Sequence, residues 1–215
     1  FARASLNGEK VLENQNMFVP HRINIKDLAK LGDNELVIHF QSAQRRGKEL
    51  EAARGKRPCW NGDNSRLYVR KAQYHYGWDW GPVIMCLGPW QDIYIESYET
   101  RIADVYTETR LENDFKKGVL AVAVSLEGSA SAVTLELYSP ESSLLETKPL
   151  DGSGKQTFNL ENPHLWYPHG HGEHPLYKLV VKLHNGDSKE FKLGFRDIQI
   201  VQESAQGEVG SSFFF

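Results

Sequence analysis

The sequence predicts an all-β protein. Three observations carry this. Hydrophobic residues recur at every second position, the alternating runs are short, and turn-residue clusters separate them. Over residues 101–201 these runs fit one immunoglobulin-like β-sandwich. Residues 1–100 also contain strand-like runs, but with a long aromatic stretch that has no clean period. A first domain of different character is expected there.

The elements follow in order. Residues 1–6 and 10–12 read as strands around Asn7-Gly8, a pair that accepts positive φ and so signals a two-residue hairpin. Residues 17–25, 35–40 and 93–98 also read as strands. Residues 26–31 fit a single helical turn. Residues 42–54, rich in Gln, Arg, Lys and Glu, are either a short exposed helix or a loop. Residues 58–90 combine turn residues with aromatics. In an all-β domain such a stretch is usually loop, and loops carry sites.

Further on, Leu120, Val122, Val124 and Leu126 share one strand face. Val133, Leu135 and Leu137 share another, and so do Leu179, Val181 and Leu183. Ser139-Pro140, Asp151-Gly152-Ser153-Gly154 and Asn185-Gly186-Asp187 mark turns between strands. Residues 202–215 read as a polar, Gly-containing linker closed by Phe213-Phe214-Phe215, the expected first strand of a further domain. The sequence contains no internal repeat and no low-complexity tract.

Composition narrows the function. The 215 residues are 40% hydrophobic and 25% charged, as expected of a globular chain. A complete (β/α)₈ barrel needs about 250 residues, so none fits beside these β-rich segments. Net charge is −3 with no basic stripe, which argues against a nucleic-acid partner. No apolar run approaches the roughly 20 residues of a membrane-spanning helix, so no membrane partner is expected. Cys59 and Cys86 are too few for a disulfide scaffold and match no zinc spacing. Two free thiols and the lack of any Asn-X-Ser/Thr acceptor lean towards the cytoplasm. Four of the five Trp fall between Trp60 and Trp90, and this clustering is the first pointer to function.

The most specific segment runs Tyr68-Val-Arg-Lys-Ala-Gln-Tyr-His-Tyr-Gly-Trp-Asp-Trp-Gly-Pro82. It resembles the N-terminal sugar-binding domain of β-mannosidases, members of the glycoside hydrolase family that also includes β-galactosidases and β-glucuronidases. Other segments match the same pattern in order. They are Leu6-Asn7-Gly8, Asn16-Met-Phe-Val-Pro-His-Arg22, Gly88-Pro89-Trp90-Gln91-Asp92-Ile93, Asn162-Pro-His-Leu-Trp-Tyr-Pro168, Pro175-Leu-Tyr177 and Gly194-Phe-Arg-Asp-Ile198. The details resemble fungal enzymes of the intracellular kind.

The resemblance implies a jelly-roll (galactose-binding-like) sandwich over residues 1–100, lacking its opening strands. An immunoglobulin-like sandwich over 101–201 follows, and then the threshold of an absent (β/α)₈ catalytic barrel at 202–215. In that family both catalytic carboxylates are Glu residues on barrel strands, and retaining hydrolysis sets such a pair about 5–5.5 Å apart. No acidic residue here lies in a matching segment, so no catalytic residue and no cofactor is assigned. The expected partners are a β-mannoside or manno-oligosaccharide and the barrel itself.

Trp78-Asp79-Trp80 suits a pyranose. An indole face covers the apolar C–H side of a sugar, while a carboxylate accepts hydrogen bonds from adjacent hydroxyls. By resemblance, Asp79 binds hydroxyls of the terminal mannose, Trp80 forms part of the pocket wall, and Trp78 lines the pocket or packs beneath the loop. Arg66, Arg70 and Lys71 are candidates to pair with Asp79. His75 is expected in packing or in a backbone hydrogen bond. His164, His169, His171 and His174 form a cluster that looks superficially metal-binding. The related enzymes have a Gly-containing loop there without such a trio, and no metal is assigned. Two other functions remain open in the sequence: a stand-alone carbohydrate-binding module, and a sister exo-β-glycosidase such as a β-galactosidase or β-glucuronidase.

Overall fold

The computed structural model describes residues 1–129, 131–184, 186–205 and 208–214, with side chains as far as residue 200. The chain divides into two compact units, Phe1–Tyr94 and Ile95–Phe215.

The first unit is built on a three-stranded antiparallel sheet of β1 (Ala2–Leu6), β2 (Glu9–Asn14) and β3 (Leu36–Phe40), in the order β2-β1-β3. Asn7 and Gly8 join the first two strands with φ of 52° and 90°, the signs that a primed hairpin turn requires. Leu6 and Ala4 point into a small core.

Helix α1 (Ala43–Arg54) follows. The Ser42 hydroxyl accepts from the Arg45 N–H at 3.2 Å and caps its start, while the Gly55 N–H donates to the Glu51 carbonyl at its end. Only Ala43 and Gly47 are buried on this helix. A Cβ on Gly47 would stand 2.8 Å from the Ser65 carbonyl oxygen, so the helix backbone lies directly against the next segment. That segment contains two 3₁₀ turns, Asn64–Tyr68 and Gln73–Tyr76.

Two expected strands do not form. Residues 17–25 are irregular, and an isolated parallel bridge from Asn16 to Arg70 directly precedes them. Pro20 has no N–H to donate, and the flanking side chains Phe18, Val19 and Ile23 are exposed. Point contacts tether the segment instead of a ladder. The Met17 N–H donates to the Arg70 carbonyl at 3.1 Å, and the Trp90 indole donates to the Met17 carbonyl at 3.0 Å. Residues 93–98 are likewise outside any strand, with Ile93, Tyr94 and Ile95 exposed. Apolar alternation alone makes no strand where no neighbouring backbone pairs with it.

The second unit is a sandwich of two antiparallel sheets. One holds β4 (Thr100–Glu112), β5 (Lys117–Gly128) and β8 (Lys155–Glu161) in the order β4-β5-β8. The other holds β6 (Val133–Tyr138), β7 (Leu144–Pro149), β9 (Tyr177–Leu183) and β10 (Ser188–Leu193) in the order β10-β9-β6-β7. The inward residues are largely the ones that alternation predicts. Leu120, Val122 and Val124 face Leu135, Leu137, Leu179 and Val181 in one core with Ile102, Phe158 and Phe195. Phe195 meets Tyr177 edge-on, ring centroids 5.1 Å apart, which is a favoured aromatic geometry.

Over the segment expected to be a linker, the backbone forms a hairpin of β11 (Gln199–Ala205) and β12 (Glu208–Phe214). Phe215, Asn185 of the expected 185–187 turn, and the side chains of Phe213 and Phe214 lie outside the described residues.

Candidate functional site

The Trp-Asp-Trp segment lies in the first unit as a tight turn. The Trp78 N–H donates to the Gly81 carbonyl at 3.1 Å, and the Gly81 N–H donates back to the Trp78 carbonyl at 3.3 Å. This reciprocal pair leaves Asp79 and Trp80 as the two residues at the tip. Both are exposed, Trp80 at 85%.

Gly77 makes the turn possible. Its φ is 75°, and a Cβ there would stand 2.9 Å from the Gly81 carbonyl oxygen and 3.0 Å from Val83 Cγ2. Only glycine satisfies both the conformation and the space. The preceding residue, Tyr76, is buried and anchors the turn from below. Its hydroxyl has no hydrogen-bond partner among the described residues. Burial pushes its phenol above the ordinary tyrosine value, and the nearby Asp63 carboxylate pushes it the same way.

The second wall comes from residues 58–63. Trp60 stands out at 89% exposure with its ring 6.1 Å from that of Trp78, the planes inclined by 37°. The loop beneath it is tied down. The Cys59 thiol donates to the Asn61 carbonyl at 3.0 Å, and Asn64 Nδ2 donates to the Arg57 carbonyl at 2.8 Å. Asp63 accepts from the Ser65 N–H at 2.9 Å and from Gln44 Nε2 at 3.4 Å, which links the loop to α1. Trp60 was not among the predicted site residues. Its signal was available as a large aromatic directly before the turn pair Asn61-Gly62, where burial is hard to arrange.

The expected cationic partners of Asp79 are elsewhere. Lys71 Nζ donates to the Cys86 carbonyl at 2.8 Å, and burial holds its ammonium below the usual lysine range. Arg66 turns inward, its Nε buried without a partner among the described residues, and Arg70 is exposed. Asp79 is exposed and makes no hydrogen bond or ion pair among the described residues. His75 shares a 3.1 Å hydrogen bond with the Ile84 carbonyl, consistent with its expected structural role.

The histidine cluster belongs to the second unit. His169 and His174 rings lie 5.7 Å apart, and His174 sits edge-on to Trp166. Among the described residues, no group of three His, Cys, Asp or Glu side chains is arranged to hold a metal ion. Cys59 and Cys86 are free thiols. No helix among the described residues is long and apolar enough to cross a membrane.

The first unit thus carries an open set of exposed indoles beside an exposed carboxylate, and an immunoglobulin-like sandwich follows it in the chain. Residues 1–91 match the family described as the glycosyl hydrolase 2 galactose-binding domain-like, and residues 100–196 match glycosyl hydrolases family 2. The chain belongs to glycosyl hydrolase family 2.

Within that family the similarity is to β-mannosidases. The chain is 41% identical to β-mannosidase B of Thermothelomyces thermophilus over 225 residues, spanning 100% of this chain and 26% of that protein. It is 38% identical to β-mannosidase B of Aspergillus terreus over 226 residues, spanning 100% of this chain and 27% of that protein. The crystal structure of the β-D-mannosidase from Dictyoglomus thermophilum superposes with a TM-score of 0.87 at 26% identity, covering 99% of this chain and 28% of that one. A β-glucuronidase from Ruminococcus gnavus shares the fold alone, with a TM-score of 0.53 at 16% identity over 98% of this chain and 32% of that one. The chain thus spans about a quarter of the length of the curated relatives it matches.

Proposed function

We propose that this chain is the non-catalytic, sugar-binding N-terminal part of a retaining β-mannosidase, which removes terminal non-reducing β-D-mannose. The observation that carries the reading is the two-residue tip. Asp79 and Trp80 project from a turn closed by reciprocal backbone hydrogen bonds, and neither side chain is engaged with its own unit. Trp78 lies at the foot of the tip, 47% exposed, and presents ring surface beside it.

The chemistry follows from these groups. The Asp79 carboxylate accepts hydrogen bonds from two neighbouring sugar hydroxyls, and charged acceptors form the stronger bonds. Trp80 covers the C–H face of the ring and excludes water from it. Both contacts fix the sugar against catalytic groups supplied from outside this chain. The two Glu residues that the family's retaining mechanism needs belong to a catalytic barrel, and no carboxylate of residues 1–215 is assigned to that role. The chain by itself is expected to hydrolyse no mannoside.

Hydroxyl–carboxylate bonds that tighten as the ring distorts contribute to transition-state binding, so their loss is read in kcat/KM. Asp79→Ala in the full-length enzyme is expected to lower kcat/KM on a β-mannoside by about 100-fold or more, the consequence of leaving buried hydroxyls unpaired. An unchanged kcat/KM contradicts the reading.

A further inference from the structure

The geometry points to Trp60 as a specificity residue for the same site, binding the sugar unit on the leaving-group side of the scissile bond. The inference rests on the assignment of Asp79 and Trp80 to the terminal sugar. Trp60 and Trp78 come from loops 18 residues apart in sequence, yet their rings form a tilted pair with centroids 6.1 Å apart. Trp60 is 89% exposed, although an indole is among the most favourable side chains to bury.

Its exposure is held in place. Cys59, Asn64 and Asp63 fix the loop through their hydrogen bonds to Asn61, Arg57, Ser65 and Gln44. Two neighbouring solvent-facing indoles, inclined by 37°, present apolar ring surface at low conformational-entropy cost, the property expected of a pyranose platform.

The side of the bond follows from the reaction class. An exo-acting hydrolase cuts off the terminal residue, so no sugar lies beyond that residue on the non-reducing side. An additional platform next to the terminal-sugar tip therefore meets the unit being released. Its preferred ligand is an oligosaccharide with a second pyranose, over a glycoside with a small alkyl leaving group.

The test uses the full-length enzyme and two substrates, β-1,4-mannobiose and methyl β-D-mannoside. Trp60→Ala is expected to lower the ratio of kcat/KM for mannobiose over methyl mannoside about tenfold, chiefly through KM for mannobiose. Trp60→Tyr is expected to restore most of the ratio, because it retains a ring. Asp79→Ala, measured in parallel, is expected to reduce kcat/KM on both substrates. An unaltered ratio in Trp60→Ala beside a disabled Asp79→Ala overturns the Trp60 assignment alone. A lowered ratio that Trp60→Tyr fails to restore also overturns it, because the effect is then structural. Unaltered rates in Asp79→Ala overturn the underlying reading, and the Trp60 assignment with it.

Discussion

The two units of this chain place their largest aromatic clusters in opposite environments. In the second unit Phe158, Phe195 and Tyr177 are buried between two sheets with Leu120, Leu135 and Leu179. In the first unit Trp60, Trp80 and Trp90 stand largely in solvent and Trp78 is half-exposed, and among the described residues the buried hydrophobic set there is Ala4, Leu6, Ala43, Val69 and Tyr76. The same residue class fills the core of one unit and stands exposed on the other. Burial of apolar area holds a fold together at about 25 cal/mol per Å², so aromatics withheld from the core cost the first unit stability and leave surface for a ligand. What replaces a large core there is local fixation: a capped helix, a backbone-to-backbone approach at Gly47, and a turn that only Gly77 allows.

This contrast can be tested from its strongest side downward. Phe158→Ala removes a fully buried ring from the sandwich and is expected to cost about 3–5 kcal/mol, read as a drop in the denaturation midpoint. Gly77→Ala forces a Cβ into a left-handed residue and against Gly81, with an expected cost of about 2 kcal/mol or more. Its damage is expected to be local, with sugar binding failing while the near-ultraviolet signal of the second unit persists. A Gly77→Ala protein with intact sugar binding would show that the turn is not what positions the site.

The smallest effect separates two buried tyrosines. The Tyr177 hydroxyl accepts from the His164 N–H at 2.9 Å, whereas the Tyr76 hydroxyl has no partner among the described residues. Tyr177→Phe is therefore expected to cost about 1 kcal/mol and Tyr76→Phe close to nothing at neutral pH. Burial raises both phenols above the ordinary value near 10. A raised folded-state value means that each contributes stability in full below the unfolded value. That contribution disappears as pH climbs through the folded value. Each Phe variant should accordingly flatten the alkaline loss of stability in a denaturant titration, and an unchanged alkaline slope would contradict the burial argument.

The sandwich was largely legible because alternation and burial are the same signal there: Leu120, Val122 and Val124 are apolar for the reason that they face a sheet. The Asn7-Gly8 hairpin was legible because its backbone angles restrict residue choice. Residues 17–25 and 93–98 misled because a strand is a relation between two backbones, and neither segment carries the signature of its partner. Helix α1 stayed ambiguous because it buries only Ala43 and Gly47, leaving almost no apolar stripe to read. At the candidate site, Trp78, Asp79 and Trp80 could be proposed from the sequence because they are contiguous. Trp60 joins the candidate site only through the structure, because its meeting with Trp78 is a tertiary contact across 18 residues.

The central claim is that the Asp79–Trp80 tip grips the terminal sugar. Calorimetric titration of the full-length protein with a mannose-derived transition-state analogue, comparing wild type with Asp79→Ala, tests it without the complications of turnover. A dissociation constant weakened by about 100-fold or more, with an unchanged melting temperature, is the predicted result. Equal affinity in the two proteins would contradict the account.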